Sequence, residues 1–377
     1  MTDVTPRAWA YLSRVVEPPC AELAALVGRV GPVEAAERVR RGEVDATLAG
    51  RTQARHEIDR AAEDLELLAR RGGRLISPDD DEWPTLAFAA FSAIEAKPQG
   101  RPPLVLWALG PARLDETAQR AAALVGTRAA TSYGEQVAAD LAAGLAEHDV
   151  AVISGGAYGI DGAAHRAALA ADGVTIAVLA GGIDIPYPAG HSALLHRVGI
   201  DGMLVTEYPP GVRPARHRFL TRNRLVAAFA GAAVVVEAGL RSGAANTAGW
   251  GRALGRVVGA VPGPVTSSAS TGCHALLRAG AEVITRAEDI VELVGRIGEL
   301  APEQPHPATP LDGLDDEERR VYEALPGRGV ATVDEIAVAA ALEPARVLAP
   351  LAMLEIAGLA ERHDGCWRIV RKRSQPA

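Results

Sequence analysis

A glycine-rich turn between Val152 and Gly162 follows a short apolar run and could bind an anion. The apolar run ends at Ser154, three glycines follow in the next five positions, and a helical pattern then begins. A tight turn of this kind gathers backbone N–H groups at the positive end of a helix dipole, which is how a loop without lysine binds phosphate. Tight turning alone would also explain the glycines. The candidate phosphate-binding residues are Ser154, Gly155, Gly156, Tyr158 and Gly159.

A second segment, from Arg213 to Arg224, carries five arginines, one histidine and one phenylalanine without a single acid, in a chain of formal net charge -8. The apolar residues that follow predict a helix that begins near Leu220. Two of the arginines would then lie in its first turn, where the helix dipole disfavours cations unless an anion is bound. Forked guanidinium donors suit a phosphodiester chain. The candidates here are Arg218, Phe219, Arg222, Asn223 and Arg224.

Two alternatives for this segment remain open. The arginines could instead form structural ion pairs with Glu207 and Glu237. Phe219 could stack on a base, as aromatic residues do in proteins that bind single strands, or it could belong to the core.

The elements around these segments predict how they are positioned. From Ala121 onward, apolar runs alternate with helical stretches, which predicts a parallel sheet covered by helices on both faces. Ligands of such doubly wound sheets bind outside the carboxyl ends of the strands. We therefore add Arg128, Ser242 and Gly243 to the candidates, since their loops reach the same edge. Ser132 and Glu135 predict a capping box at the first helix of this domain.

Composition excludes several classes of protein. The chain has only two lysines, Lys97 and Lys372, neither in a glycine-rich loop, so it is not a P-loop nucleotidase. The dinucleotide fingerprint is absent, and the three cysteines lack metal-ligand spacing, so we expect no cofactor and no metal. Asp161 and His165 are four residues apart, but no nucleophile or metal partner accompanies them, so we predict no catalytic residue. Without a signal sequence or a membrane-spanning apolar run, we expect a cytoplasmic protein.

The spacing of apolar residues, which changes along the chain, predicts an α/β protein of three domains. Residues 1–75 predict a helical domain, similar to a sterile-alpha-motif or helix-hairpin-helix domain, although the turn at 27–32 could be an ordinary helical corner. Residues 76–296 predict an extended Rossmann-like domain, which opens with a linker-like stretch at 76–84. Residues 297–313 predict a linker, and residues 314–371 predict a winged helix. Its third helix offers only Arg346 as a basic group, which is few for reading duplex DNA.

Taken together, these segments resemble the DprA/Smf family of DNA-processing proteins. The resemblance rests on ordered matches between about Ile76 and Val294. They are Leu124–Arg128 with Tyr133-Gly134, Ser154–Asp161 with Ala164-His165, Ala177–Asp184 with Tyr187-Pro188, Glu207–Gly211, Arg222–Arg224, Val234–Ala238, Ser242-Gly243 and Val261–Gly263.

The resemblance implies a homodimer that binds single-stranded DNA without cutting it and helps to load the RecA recombinase during natural transformation. It implies that Arg128, the Ser154–Gly159 loop, Arg222 and Arg224 bind the strand. Two positions depart from the family pattern. Tyr158 stands where a basic residue is usual, and Leu220 stands where a proline is usual.

One rival interpretation is a nucleotide hydrolase of the lysine-decarboxylase-like group, whose sheet and glycine-rich loops are similar. In that case Glu237 would act together with the glycine-rich loop on a nucleoside monophosphate. A regulator that binds duplex DNA through its winged helix is a third interpretation, and the thin basic complement of that domain disfavours it.

Overall fold

The structure is a computed structural model that describes residues 4–97, 99–240, 242–295, 311 and 313–370. The chain divides into two compact units, Met1–Ala301 and Pro302–Ala377. Apart from Leu311 and Gly313, the linker predicted at 297–313 lies outside the described residues.

The first unit begins with four helices, as the three- and four-residue apolar spacing predicts. They are α1 (Val4–Val15), α2 (Ala21–Arg41), α3 (Ala46–Thr52) and α4 (Ala61–Arg70). Their inner faces bury Tyr11, Leu12 and Leu23 in a core cluster that also contains Trp107 and Leu204 of the sheet. A kink at Gly31, whose φ is 78°, divides α2 at the position of the predicted turn.

A nine-stranded sheet within the described residues forms the centre of this unit. Its strands are β1 (Gly73–Ile76), β2 (Leu106–Leu109), β3 (Ala121–Val125), β4 (Ala151–Ser154), β5 (Thr175–Val178), β6 (Met203–Thr206), β7 (Ala232–Val235), β8 (Val257–Ala260) and β9 (Glu282–Val283). Their order is β1-β2-β6-β5-β4-β3-β7-β8-β9. The β1–β2 and β2–β6 pairs are antiparallel and the others are parallel. The Rossmann-like prediction is confirmed.

Helices cover both faces of the sheet, which explains why its central strands are buried along their whole length. These helices are α5 (Thr85–Ala89), α6 (Leu114–Thr117), α7 (Ser132–Glu147), α8 (Ile160–Ala170), α9 (Ser192–Asp201), α10 (Arg216–Ala228), α11 (Gly243–Ala253), α12 (Thr271–Arg278) and α13 (Ala287–Val294). Three short 3₁₀ turns lie at Ala90–Ile94, Ala189–His191 and Ser268–Ser270.

Two local predictions in this unit are wrong. The N-cap of α7 is Thr131, whose hydroxyl accepts from the Gly134 amide at 3.2 Å, so Ser132 and Glu135 do not form the predicted box. The stretch at 76–84 is held by buried residues at both ends and is not a free linker, although residues 78–81 are exposed. Glu82 is buried there and accepts two hydrogen bonds from Arg74 of β1, each 2.6 Å long.

The winding of the sheet reverses at its middle. From β3 the chain proceeds outward through β4, β5 and β6, and it then returns to β7 on the other side of β3. β3 and β7 pair in parallel, with Val125 opposite Val235 at their carboxyl ends. Loops that leave neighbouring strands in opposite directions open a crevice, so a ligand site is expected here.

Polar contacts of Trp9, Arg14 and Glu17 attach the N-terminal helices to the sheet layer. Trp9 Nε1 donates to Asp79 at 3.0 Å. Arg14 donates to Asp64 and also to the Pro210 carbonyl at 2.6 Å. Glu17 accepts from Arg218 of α10 at 2.6 and 2.9 Å.

The second unit has the predicted winged-helix order of three helices and a hairpin. Its elements are α14 (Asp316–Ala324), α15 (Val333–Ala340), α16 (Pro344–Ile356), β10 (Ala360–His363) and β11 (Cys366–Ile369). Val347, Leu351 and Leu354 of α16 enter its core. The opposite face of α16 exposes Leu348, Met353 and Ile356.

Among the described residues, no single helix has the length and apolar character needed to cross a membrane, although α15 and α16, bent by 101°, reach that length and composition when counted together.

Candidate functional site: a cleft at the reversal of the sheet

A cleft of about 840 Å³ opens at the carboxyl edge of the sheet, where the winding reverses. Its walls come from the loops that follow β3, β4, β5 and β7, from one face of α10 and from the start of α11. The lining residues are Val125, Gly126, Thr127, Arg128, Gly155, Ala157, Asp161, Tyr187, Arg216, Phe219, Leu220, Arg222, Asn223, Val226, Gly239, Ser242, Gly243, Ala244 and Thr247. The structure thus brings together seven of the predicted site residues, namely Arg128, Gly155, Phe219, Arg222, Asn223, Ser242 and Gly243.

Helix α10 sorts the predicted arginine row onto two faces. The prediction that this helix begins near Leu220 is wrong, because it begins at Arg216, with Ala215 in an extended conformation before it. Helical spacing of three and four residues then directs Arg216, Phe219 and Arg222 to the cleft. Since Arg218 and Arg224 are not in the lining, the arginines of this segment do not form one continuous strip.

Arg222 is buried and lies at the bottom of the cleft. Its Nη1 donates to the backbone oxygens of Gly155, at 2.7 Å, and of Val178, and its Nε donates to the Asn223 side chain. Nη2 donates to no described residue and is not among the buried polar atoms that lack a partner. Burial lowers the pKa of Arg222 to about 10, which leaves the guanidinium charged at neutral pH. Nη2 is therefore a charged donor open to a ligand.

The other two predicted arginines of α10 have partners away from the cleft. Arg224 is fully buried and forms a bidentate pair with Glu207, with distances of 3.0 and 2.7 Å. The ion-pair alternative is therefore correct for Arg224. Arg218 is bound to Glu17 and stacks on the ring of Tyr208 at 5.2 Å. Burial opposes the ionised form of Glu17, but hydrogen bonds from Arg218 and His217 lower its pKa below the ordinary value.

Two amides of the glycine-rich turn bind an internal anion, so these two are not available for the predicted phosphate. Both the Gly155 and Ala157 amides donate to the carboxylate of Asp161, at 3.1 and 3.3 Å. The Ser154 hydroxyl donates to the Leu124 carbonyl. The Gly156 carbonyl bonds to the buried His191 ring at 3.1 Å. The turn therefore shapes the cleft with its backbone and leaves these groups occupied.

At two positions of this turn glycine is required, because other atoms of the protein lie where a Cβ would be. A Cβ on Gly155 would lie 2.4 to 2.6 Å from the guanidinium atoms of Arg222. Gly159 has φ of 71°, and a Cβ there would lie 2.3 Å from the Thr127 carbonyl oxygen. A side chain at either position would separate the turn from the elements that it contacts.

Aromatic rings form one side of the cleft. Phe219 lies 5.3 Å from the ring of Tyr187, and the Arg128 guanidinium lies 5.0 Å from the Phe219 centroid. Tyr158 stands outside the lining, with its ring 4.7 Å from His191 and its hydroxyl accepting from the Gly190 amide. The prediction that Phe219 is a site residue is consistent with this placement, since its ring is only partly buried.

The opposite wall is the N-terminus of α11. Ser242 caps this helix by accepting from the Ala245 amide at 3.3 Å. Asn223 of α10 donates to the Gly243 carbonyl at 3.3 Å and to Asn246 at 3.2 Å. Asn223 therefore holds the two walls together while its oxygen orients Arg222.

Glu237, the residue that a hydrolase would need, has a structural role. One of its carboxylate oxygens accepts from the Thr131 amide at 2.8 Å and the other from the Thr131 hydroxyl at 2.7 Å. Asp161 and His165 do not pair, because His165 bonds to Thr175 at 2.7 Å. Within the described residues, no group of three or more His, Cys, Asp or Glu side chains could hold a metal ion.

Comparison with known proteins gives the family. The model of DNA recombination-mediator protein A matches residues 74–295, more than half of the chain. The chain belongs to the DNA recombination-mediator protein A family. A DprA winged helix domain matches residues 304–366, which confirms the fold predicted for the second unit.

Comparison with individual proteins gives the same family assignment. The chain is 77% identical over 373 residues to the putative DNA processing protein DprA of Mycobacterium tuberculosis strain H37Rv, covering 98% of this chain and 96% of that protein. The X-ray structure of DprA from Streptococcus pneumoniae covers 80% of this chain and 99% of its own, with 25% identity and a TM-score of 0.59.

A second solved structure is DNA processing protein A from Helicobacter pylori, described for its single-stranded DNA binding mode. It covers 58% of this chain and 94% of its own, with 26% identity and a TM-score of 0.50.

Among the lining residues that the sequence prediction missed are a cation, Arg216, and an aromatic residue, Tyr187. Arg216 stands three residues before Phe219, and this spacing would have indicated a shared helix face if the helix start had been placed correctly. Tyr187 precedes Pro188 in a loop that carries no periodic signal.

Proposed function

We propose that this protein binds single-stranded DNA in the cleft and does not cut it. The observation that carries the proposal is the charge of the cleft. Arg128, Arg216 and Arg222 line it, whereas its one acid, Asp161, is buried beneath the turn and bound by two amides. Arg128 and Arg216 are exposed at the mouth. A phosphodiester is therefore attracted locally even though the whole chain is acidic.

The aromatic wall favours single strands over duplex. Base faces are free to stack on Phe219 or Tyr187 only when the strand is unpaired. The Helicobacter pylori relative, described for its single-stranded DNA binding mode, supports the same ligand. We therefore propose weak sequence preference, because stacking and phosphate contacts do not distinguish the four bases strongly.

Two observations argue against strand cleavage or nucleotide hydrolysis at this cleft. Both oxygens of Glu237 are occupied by Thr131, so the carboxylate is not placed to activate a water. Asp161 is likewise bound by backbone amides. The hydrolase interpretation has no specific contact in its favour.

Loading of RecA onto the bound strand and homodimer formation belong to the same proposal, as does a role in natural transformation. Their support is the family resemblance and the 77% identity to a protein named for DNA processing. A test adds RecA to a limiting amount of single strand and follows filament formation with and without the protein. Sedimentation of the purified chain measures its mass in solution.

The test of binding is a titration of fluorescent oligo(dT) and a matched duplex at two salt concentrations. Arg216→Ala removes a cation from the cleft, and Arg218→Ala, two residues along α10, removes one that Glu17 holds. We expect oligo(dT) to bind more tightly than duplex, with Arg216→Ala reducing the magnitude of the log–log salt slope by about 0.7. Arg218→Ala should leave that slope unchanged. Equal effects of the two variants would refute the cleft as the binding site.

A further inference from the structure

A second concave surface of the first unit shares no lining residue with the cleft. It lies between helices α1 and α2 on one side and the segments after β1 and before β2 on the other. Its volume of about 480 Å³ falls within the range of roughly 300 to 1,000 Å³ that is usual for ligand pockets. Leu12, Val16 and Leu23 are buried in its lining and make its floor apolar. We call this surface the N-terminal groove.

Prolines form much of the wall of the N-terminal groove. Those that line it within the described residues are Pro18, Pro19, Pro32, Pro78, Pro102 and Pro103. A proline has a fixed φ and no backbone N–H, so this wall is stiff and poor in hydrogen-bond donors. A β-strand, which pairs its backbone with such donors, suits this wall badly, whereas a ligand with apolar rings suits it well.

Two tryptophans complete the apolar wall of the N-terminal groove, and one of them has a free donor. Trp9 Nε1 donates to Asp79 at 3.0 Å, which holds the Trp9 ring in place. Trp83 is partly buried, and its Nε1 donates to no described residue. Since this nitrogen is not among the buried polar atoms that lack a partner, it is open to solvent or to a ligand. A polyproline II segment has no internal hydrogen bonds, so its carbonyls can accept from such a donor while its rings pack on aromatic walls.

The rim of the N-terminal groove is acidic. Asp79 and Glu95 are exposed there, and Arg101 is the one cation among the described lining residues. Arg101 lies 3.9 Å from Glu95, whereas Asp79 has no ion-pair partner among the described residues. Glu207, the third acid of the lining, is neutralised by Arg224. A ligand that brings a cation to Asp79 therefore complements the charge of this rim, and a phosphate backbone does not.

We infer that the N-terminal groove binds a proline-rich segment of a partner protein in the polyproline II conformation, with an arginine or lysine of that segment placed at Asp79. The proline rings of the segment pack on Trp83 and on the apolar floor. Trp83 Nε1 donates to one of its carbonyls, and the cation pairs with Asp79. This binding is separate from that of single-stranded DNA, because the groove and the cleft have no residue in common.

The experiment measures fluorescence anisotropy of labelled nine-residue peptides with the full chain. The probe has three Arg-Pro-Pro repeats. A peptide of three Glu-Pro-Pro repeats keeps the conformation and reverses the charge, and one of three Arg-Gly-Gly repeats keeps the charge and removes the conformation. We expect the Arg-Pro-Pro peptide to bind at least about fivefold more tightly than either control, because it is preorganised and complementary in charge. No binding of this peptide, or an equal affinity for either control peptide, would overturn the inference.

A blocking variant locates the peptide. Ala24 is an exposed residue of α2 that lines the N-terminal groove, so Ala24→Phe places a ring inside the groove. It should weaken binding of the Arg-Pro-Pro peptide by about tenfold or more, since the ring and the peptide compete for the same space. Ala25→Phe is the matched control, because Ala25 is exposed on the same helix but outside the lining. Equal effects of the two variants, each checked by circular dichroism, would place the peptide elsewhere and overturn the inference.

A charge variant tests the rim and does not depend on whether Ala24→Phe folds. Asp79→Asn keeps an oxygen that accepts from Trp9 and removes only the charge. It should weaken the Arg-Pro-Pro peptide by about three- to fivefold, as loss of an exposed ion pair does. Asp81→Asn removes an exposed acid outside the lining and should change the affinity little. An unchanged affinity in Asp79→Asn, or an equal loss in Asp81→Asn, would overturn the pairing of the peptide cation with Asp79.

Discussion

Gly155 lies so close to Arg222 that the two residues depend on each other. An alanine Cβ would approach the guanidinium to within 2.4 Å. We expect Gly155→Ala to cost about 1 to 3 kcal/mol of stability, as over-packing does, and to weaken single-strand binding because Arg222 must shift. Urea unfolding and oligo(dT) titration measure the two effects. Gly249→Ala, on α11 outside the cleft lining, is the matched control, since nothing lies within 4 Å of its added Cβ, and equal losses from both variants would contradict the contact.

The buried pair of Arg224 and Glu207 predicts a stability effect and not a binding effect. Removing one partner leaves an uncompensated charge in the core, which costs about 3 to 5 kcal/mol. Arg224→Ala should therefore be strongly destabilised in urea. The double variant Arg224→Met with Glu207→Leu should be less destabilised than Arg224→Ala, because no charge remains buried. A fully stable Arg224→Ala that fails to bind DNA would contradict this assignment.

His165 should make the stability depend on pH. Burial lowers its pKa to about 3 from an ordinary 6.5, so the unfolded chain takes up a proton in this interval and the folded chain does not. The free energy of unfolding therefore has its full value above pH 6.5. It falls as the pH is lowered, by about 2 kcal/mol at pH 5. We expect His165→Gln to flatten this part of the profile in urea unfolding at pH 7 and 5. An unchanged profile in the variant would show that other groups dominate.

At the scale of elements, the connection between the N-terminal helices and α10 should also respond to acid. Glu17, which follows α1, has its pKa lowered by Arg218 and His217 against the effect of burial. A lowered pKa means that the contact stabilises the folded state above pH 4.5 and that this contribution is lost as the pH falls through the lowered value. Glu17→Gln should melt at a lower temperature than the wild type at pH 7. The difference should narrow below pH 4.5, and a constant difference would contradict the ionic origin.

The elements differ in how far their sequence could predict them. Continuous apolar runs predicted the central strands, because a strand buried on both faces carries no polar interruption. The two-residue strand β9 has too short a pattern to be recognised. Helix α10 was placed four residues late because its first turn is rich in arginine, and the acid that stabilises this turn, Glu17, comes from the segment that follows α1. Likewise, the amides of the glycine turn were expected to be free because only the structure shows Asp161 reaching back to them.

At the scale of the whole molecule, the second unit is distinguished by its excess of acidic residues. Between Gly313 and Val370 there are eleven carboxylates and six arginines, so the second unit repels a phosphate backbone. We expect a chain that ends at Gly295 to bind oligo(dT) with the affinity and salt slope of the full-length protein. The same titration tests this, with circular dichroism as the check of folding. A loss of ten-fold or more in a folded shortened chain would assign DNA contacts to the winged helix.

The contacts of Trp9, Arg14 and Glu17 with the sheet layer have a consequence for heating. If the N-terminal helices shared no polar contacts with the sheet layer, they would unfold at a lower temperature and give a separate heat-absorption peak. Here each of the three side chains is bonded to a residue outside the four N-terminal helices, namely Asp79, Pro210 and Arg218, and Arg218 belongs to a helix that lines the cleft. The helical layer and the sheet should therefore lose their structure in one cooperative transition, and a calorimeter should record a single peak for Met1–Ala301.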